Sequence, residues 1–366
     1  MFSESFKKCF LIVLLSRALI FSLGFAATYF NEGPSPPLTV VMRQFCQWDS
    51  PHYIDIAKNW YVNVGEQRFF IVFFPLYPLL IRLTVFDWHY VNLSALLVSN
   101  ISSIIATIYL FKLTKLDFKE DVAKRAVLYL SFFPTAYFLC AIYTEGLFLA
   151  LAISCVYYAR LEKWPLAGLL GMLASLTRIT GLALIPALIV EYLSKRGWGL
   201  TKPSFKILWT ILPLAGFLVY LMINYQVTGS FLAFIEIQRE HWCETFDPLL
   251  GLRRAWDWTI SAAFPENVTV GAAQPAFAAL GLLGLILGFQ LHLRHSYNTY
   301  TFFAWAISVS TSWWISVPRY MLVLFPFFII LGILGRRRKF NLMVAPIFLM
   351  LLSFFTFLFS KGMWAF

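Results

Sequence analysis

Charge is what this chain has least of. Only 13% of its 366 residues are Asp, Glu, Lys or Arg, while 60% are hydrophobic, 19% are aromatic and the mean hydropathy is +0.73. So few charges cannot cover a water-facing surface, which excludes a soluble globular class and leaves an all-α polytopic membrane protein. Other absences narrow the chemistry. There is no Asp-X-Asp, no glycine-rich phosphate loop, no nucleophile elbow and no His-Glu-x-x-His, and His52 and His241 lack partners at ligand spacing. Neither a metal nor a cofactor is therefore expected. The five cysteines have no ligand spacing either. Cys9, Cys140 and Cys155 lie in apolar runs as packing residues, and Cys46 and Cys243 fall in two long loops where a disulfide is open to them. The net charge of +11 sits in short basic runs between apolar segments, so no nucleic-acid partner is implied.

What is present is a series of apolar spans, at about 9–30, 90–111, 126–142, 146–160, 164–177, 179–193, 207–226, 274–291, 300–316, 321–335 and 340–359. The first follows Lys7 and Lys8 and exceeds the roughly 7–15 apolar residues of a cleaved signal peptide, so it reads as a retained span. Several others are shorter than the roughly 20 residues of a straight crossing and suggest hairpins with corners at Thr144-Glu145 and Thr177-Arg178. With the N-terminus inside and eleven crossings, the inner segments hold about two thirds of the basic residues and a third of the acidic ones, as the positive-inside rule requires. Two long loops, about 31–89 and 227–273, then fall outside, and the whole of 1–366 forms one integral membrane domain.

The first loop opens with Gly33-Pro34-Ser35-Pro36-Pro37, a helix stop and extended linker. It continues with Trp48-Asp49-Ser50-Pro51, where Ser50 is expected to cap a helix beginning at Pro51 and leave Asp49 free. Tyr53, Ala57 and Trp60 share one face of that helix, which suits the membrane interface. Pro75 and Pro78 are expected to prevent a regular helix over 69–80 and to make that stretch re-enter the bilayer edge. In the second loop Phe231, Phe234, Ile235, Gln238 and Trp242 are spaced for an amphipathic helix, followed by Arg253-Arg254 as headgroup contacts.

Four ionisable residues stand out. Asp49 is a lone carboxylate suited to act as general base on a hydroxyl; its alternative is to be the helix cap itself. Glu145, at a hairpin corner, is costly there unless paired or functional; it can also serve as the negative charge at the start of the next helix. Arg178 has a long apolar run on each side and wants an anion, either Glu145 or a lipid phosphate. Arg319, in Pro318-Arg319-Tyr320, suits phosphate at a pocket rim or simple snorkelling.

Trp48-Asp49-Ser50-x-x-Tyr53-x-x-Ile56-Ala57 followed by Phe73-Phe74-Pro75-Leu76-Tyr77-Pro78 resembles the signature of the PIG-V family of mannosyltransferases. The similarity continues through Phe133-Pro134-x-x-Tyr137-Phe138, Tyr143-Thr144-Glu145, Thr177-Arg178-x-x-Gly181, Thr228-Gly229 with Phe234 and Gln238, and Pro318-Arg319-Tyr320. It covers about 40–330, with Gly146 where a serine is common after Thr-Glu. The resemblance implies a GT-C type fold. It also implies a polyprenyl- or dolichyl-phosphate sugar donor, usually mannose, and a glycolipid or glycan acceptor at the outer or lumenal face. Asp49 then carries over as the catalytic acidic residue, with Trp48, His52, Tyr53, Tyr77, Glu145, Arg178, Gln238, Arg319 and Tyr320 around the substrate. Eukaryotic members act in GPI-anchor assembly in the endoplasmic reticulum; this compact chain is expected to be a prokaryotic relative in the plasma membrane. The rival classes are a transporter or lipid flippase using Arg178 and Glu145 as a relay, and a scaffold subunit in which Asp49 only caps a helix.

Overall fold

The computed structural model describes residues 4–33, 38–198 and 204–365, so the linker expected at 33–37 lies, beyond Gly33, outside the described residues. The described chain is helical, in the order α1 (Glu4–Glu32), α2 (Leu38–Arg43), α3 (Ser50–Asn59), α4 (Leu76–Thr84), α5 (Val91–Lys115) and α6 (Glu120–Ser131). There follow α7 (Glu145–Arg160), α8 (Trp164–Ser175), α9 (Leu184–Lys195), α10 (Leu212–Thr228), α11 (Ala233–Glu240) and α12 (Pro248–Ser261). The last are α13 (Ala273–Gln290), α14 (His295–Ser308), α15 (Val317–Leu322), α16 (Phe325–Leu334) and α17 (Arg338–Ser360). Among the described residues there is no strand, and one isolated antiparallel bridge joins Phe246 to Thr311.

Four helical stretches are long and apolar enough to cross a membrane: Lys7–Phe30, Trp88–Lys115, Asn267–Gln290 and Arg338–Ser360. Two bent pairs raise the number to six, Glu66–Val72 with Leu76–Thr84 at 113° and Leu212–Thr228 with Ala233–Glu240 at 72°. The eleven expected spans are therefore not met by length. The apolar runs after 120 that read as short spans fold into helices of 10 to 16 residues (α6, α7, α8, α9, α14 and α16). At about 1.5 Å per residue each is shorter than a bilayer core of about 30 Å. They bury their apolar surface against one another, α7 on α5 and α8, α6 on α16, α8 on α10.

As expected, no regular helix runs through 69–80, although the prolines at 75 and 78 do allow one to start there. Pro75 sits at the N-cap of α4 and Pro78 lies in its first turn, where a missing N–H leaves no bond unmade. The stretch is instead broken before Pro75, and that break gives the 113° bend. A second expectation changes more. The corner at Thr144-Glu145 is no polar tip, since every residue from Phe133 to Ala150 is buried. The Tyr143 carbonyl accepts from Ser99 Oγ at 3.3 Å, about 12 Å along α5 from its first residue. Gly146 makes this seating possible: a Cβ there would lie 2.8 Å from the Ser99 carbonyl oxygen. Cys46 and Cys243 are both free thiols.

The loops that charge counting puts on one side do gather at one end. There Arg160 donates to both oxygens of Asp117 at 2.5 and 2.7 Å and to Tyr297 at 2.6 Å. Arg294 donates to both oxygens of Glu191 at 2.8 and 3.1 Å, and Ser296 adds a bond to Glu191 at 2.7 Å. Every carboxylate oxygen in this cluster has a partner, and together they tie α5, α7, α9 and α14. Glu145, at the start of α7, and Arg178, in the segment that leads into α9, lie at the opposite end of these helices.

Candidate active site

The first loop is fastened to the buried corner before α7. Ile142 N donates to the Phe45 carbonyl at 3.0 Å, and Ser50 Oγ donates to the Ile142 carbonyl at 3.0 Å. The Tyr143 hydroxyl donates to the Gln47 carbonyl at 3.0 Å and accepts from the Asp49 N–H at 3.2 Å. Between them Trp48 adopts a φ of +56°, a region costly for a side-chain-bearing residue, and its ring lies 4.5 Å from that of Trp364. Ser50 therefore does not cap the helix. It is the first residue of α3, and its hydroxyl is used on Ile142. Asp49 occupies the N-cap position by backbone, yet its side chain caps nothing.

That side chain accepts instead from Arg319 Nη1 at 2.8 Å. Arg319 is held by Pro318 in the first turn of α15, where the Pro318 carbonyl accepts from Thr135 Oγ1 at 3.1 Å. Its Nε lies 3.5 Å from Glu145 Oε1. The same oxygen accepts from Arg178 Nη1, which also donates to Thr144 Oγ1 at 2.8 Å. Arg178 reaches this point from an extended residue between α8 and a 3₁₀ turn at 179–183. The turn is tight because Gly181 packs on Ser175, where a Cβ would meet backbone atoms at 2.5 Å. The result is an alternating row, Asp49–Arg319–Glu145–Arg178. The expectation that Glu145 could answer Arg178 is met in the geometry, while the pairing of Arg319 with Asp49 was not foreseen.

Aromatic rings wall the row. The Tyr320 ring stands between the two arginines, 5.4 Å from Arg178 and 5.2 Å from Arg319, with Phe138 and Tyr143 on Arg319 at 5.4 and 5.2 Å. Such contacts keep a guanidinium in place when water is scarce. Tyr53 is buried with its ring edge-on to Phe73, Tyr77 and Tyr143. Burial above all, and then Asp49 and Glu145, raise the pKa of its hydroxyl, so it stays a proton donor. His52 lies on Phe70 and Phe73, with ring centres 4.3 and 5.1 Å away. Burial lowers its pKa below the ordinary 6.5 despite the nearby Asp49 and Asp55.

Two expected substrate contacts stand elsewhere. Tyr77 is fully buried beneath Tyr53, its hydroxyl 2.7 Å from Ser99 Oγ, and supports the site from behind. Gln238 in α11 meets the site region through its carbonyl, which accepts from the Glu244 N–H at 2.9 Å. The face of α3 does not lie open to the interface: Ser50, Tyr53, Ile56 and Ala57 are all buried. Nor is Arg254 free for a headgroup, since it donates to the Ser312 carbonyl at 3.2 Å. Sequence reasoning missed Trp364, which packs on Trp48 and does not lie in an apolar corner, the signal that exposed the others.

The row ends unevenly. The Glu145 carboxylate is wholly buried, and its Oε2 has no hydrogen-bond partner among the described residues. The Asp49 side chain keeps 28% exposure, against 9% for Arg319 and 13% for Arg178. A partly open carboxylate beside two desolvated guanidinium groups can exchange a proton with a hydroxyl and meet an anion. A family model described as mannosyltransferase (PIG-V) matches residues 37–244. The chain belongs to the PIG-V mannosyltransferase family. Membership supports a glycosyltransferase with a sugar donor and a glycan or lipid acceptor, and the apolar helices support an integral membrane protein. The match includes Asp49, Glu145 and Arg178 and stops short of Arg319 and Tyr320, so the resemblance through residue 330 is carried by the family model only to 244. No curated protein matches the chain.

Proposed function

We propose that this chain moves a hexose, mannose by family habit, from a polyprenyl- or dolichyl-phosphate donor to a hydroxyl of a glycolipid or glycan. The reaction is a single inverting displacement on the outer or lumenal side of the membrane. Donor phosphate takes Arg319 away from Asp49 and shares it with Arg178. Asp49, no longer held in its ion pair, accepts the proton of the acceptor hydroxyl. The hydroxyl oxygen bonds to the anomeric carbon, and the anomeric C–O bond breaks with its electron pair leaving on the phosphate. Tyr53 and Tyr320 line the sugar phosphate, while Glu145 keeps the two arginines at phosphate spacing.

The observation that supports this reading most is the 2.8 Å contact between Asp49 and Arg319, which joins a base to an anion site across 270 residues of sequence. In the proposed topology the whole chain is one domain, the short helices supply the remaining crossings towards eleven, and the loops bearing Asp49 and Arg319 share a side. The test uses membranes containing wild type or Asp49→Asn, supplied with radiolabelled polyprenyl-phosphate mannose and native lipid acceptors. Label should pass into glycolipid with wild type and fall about 10²–10⁴-fold with the variant, the usual contribution of a general base. Near-normal transfer by folded Asp49→Asn would refute the base assignment; uptake of label without transfer would favour a transporter.

A further inference from the structure

Four consecutive cations, Arg336, Arg337, Arg338 and Lys339, stand exposed in the turn between α16 and α17. The turn is fixed to α6: the Tyr129 hydroxyl donates to Asn341 Oδ1, and Asn341 Nδ2 donates to the Gly335 carbonyl. Because α6 begins just after Asp117, the turn lies at the end of the helices away from Asp49. The two carboxylates that open α6 are already engaged. Asp121 takes Arg125 at 3.0 Å and stands 3.5 Å from Arg336, while Glu120 takes Lys124 at 2.8 Å and Lys115 at 3.1 Å. Arg337, Arg338 and Lys339 make no ion pair among the described residues.

The run leads straight into Arg338–Ser360, one of the stretches long and apolar enough to cross a membrane. Leu342 and Met343 lie one turn beyond Arg338 and Lys339, and Leu349 and Met350 three turns beyond, so these residues share a face of α17. That face is apolar and open, with Leu342 at 65% and Met343 at 67% exposure. From Lys339 to Met350 the helix rises about 16 Å, roughly half of a hydrocarbon core of about 30 Å. Orienting a span requires basic residues but no turn bolted to its neighbour. A fixed turn loses little freedom when a ligand arrives, which favours binding. Three cations without an acid, above an apolar face one leaflet long, match a lipid with a negative headgroup.

We propose that the turn between α16 and α17 binds an anionic phospholipid, its headgroup phosphate on Arg337, Arg338 and Lys339 and its acyl chains along Leu342, Met343 and Met350. The site belongs to the leaflet away from Asp49 and does not depend on the proposed glycosyl transfer. The test measures equilibrium binding of radiolabelled phosphatidylglycerol and phosphatidylcholine to the purified full-length protein in neutral detergent. At low salt wild type should prefer phosphatidylglycerol by about 5-fold per cation, and so by about 100-fold for the three. Most of that preference should vanish at about 0.5 M salt, where charges are screened. Arg338→Gln alone should lower it about 5-fold. Arg337→Gln, Arg338→Gln and Lys339→Gln together should bring the two lipids to equal affinity. Inorganic phosphate at the lipid's concentration should displace neither.

Equal affinity of wild type for the two lipids would mean that the run only orients α17, and the proposal falls. A folded triple variant that keeps the preference would place the anionic lipid elsewhere and overturn it as well. Displacement of the lipid by inorganic phosphate would reveal a bare anion site without acyl contacts, again against the proposal. Where the triple variant does not fold, Arg338→Gln and the salt series decide: a preference that neither of them lowers refutes the site.

Discussion

Two ion clusters stand at opposite ends of the helices, each with two carboxylates and two arginines. The cluster of Asp117, Arg160, Glu191 and Arg294 is closed on its acidic side: every carboxylate oxygen has a partner, Tyr297 and Ser296 among them, while Arg160 Nε, 3.4 Å from Glu191, makes no hydrogen bond. The row of Asp49, Arg319, Glu145 and Arg178 has the same formal charge but is left open, with one Glu145 oxygen unmatched and Asp49 partly exposed. A buried charge without its full set of bonds is expensive. The closed cluster spends its bonds on joining four helices. The open one keeps bonding capacity that a ligand can use, and that difference separates a staple from a site when composition cannot.

Substitutions that treat the two clusters alike should therefore have opposite consequences. The largest effect expected is on turnover: Asp49→Asn loses about 10²–10⁴-fold, with only a small fall in melting temperature in detergent because Arg319 keeps Glu145 at 3.5 Å. Glu191→Gln should do the reverse, lowering the melting temperature because Arg294 loses the carboxylate that it grips, with transfer per folded molecule near normal. Should Glu191→Gln abolish transfer in folded protein, the closed cluster is no mere staple. Arg-to-Lys changes sharpen the contrast, since lysine keeps the charge and loses the planar fork. Arg319→Lys should raise KM for the lipid-phosphate donor about 10- to 100-fold. Arg160→Lys should lower the melting temperature and leave that KM alone.

The smallest expected effect is a pH dependence confined to the open end. His52 is held below its ordinary pKa of 6.5 by burial. Below 6.5 the unfolded chain binds a proton that the folded chain refuses until lower pH, so stability should fall as pH drops through that window. His52→Phe should flatten this slope in a detergent melting series from pH 7 to 5. A slope that persists unchanged in His52→Phe has another source.

Asp49, Glu145, Arg178 and Arg319 were legible in the sequence because an ionisable group in an apolar corner is rare and announces itself. Their pairing was only half legible. Glu145 as the anion for Arg178 follows from two corners on one side, but Arg319 meets Asp49 from 270 residues away, and hydropathy carries no information about such partners. Asp117, Arg160, Glu191 and Arg294 carry no signal of their pairing in the sequence, for the same reason. The helical class was plain from the apolar runs, whereas their lengths misled. A run of 14 apolar residues reads as a short span, yet α8 is a helix of only 12 residues, packed on its neighbours through Ala167, Gly168 and Gly171 with Leu166 and Leu169 left exposed. Ser50 misled differently: its hydroxyl was free to cap α3 only until Ile142 took it.

Trp364, beyond the last helix, has a consequence for biogenesis. Its ring lies on Trp48, its indole N–H donates to the Ile315 carbonyl at 3.3 Å, and the neighbouring Ala365 carbonyl accepts from Tyr137. A chain emerging from the ribosome delivers Asp49 early and Trp364 more than three hundred residues later. Until α17 has inserted and brought that tryptophan back, the turn that presents Asp49 is missing one of its walls. The proposed active centre is thus assembled late, although its proposed base is made early, and partly synthesised chains carry that carboxylate without its setting.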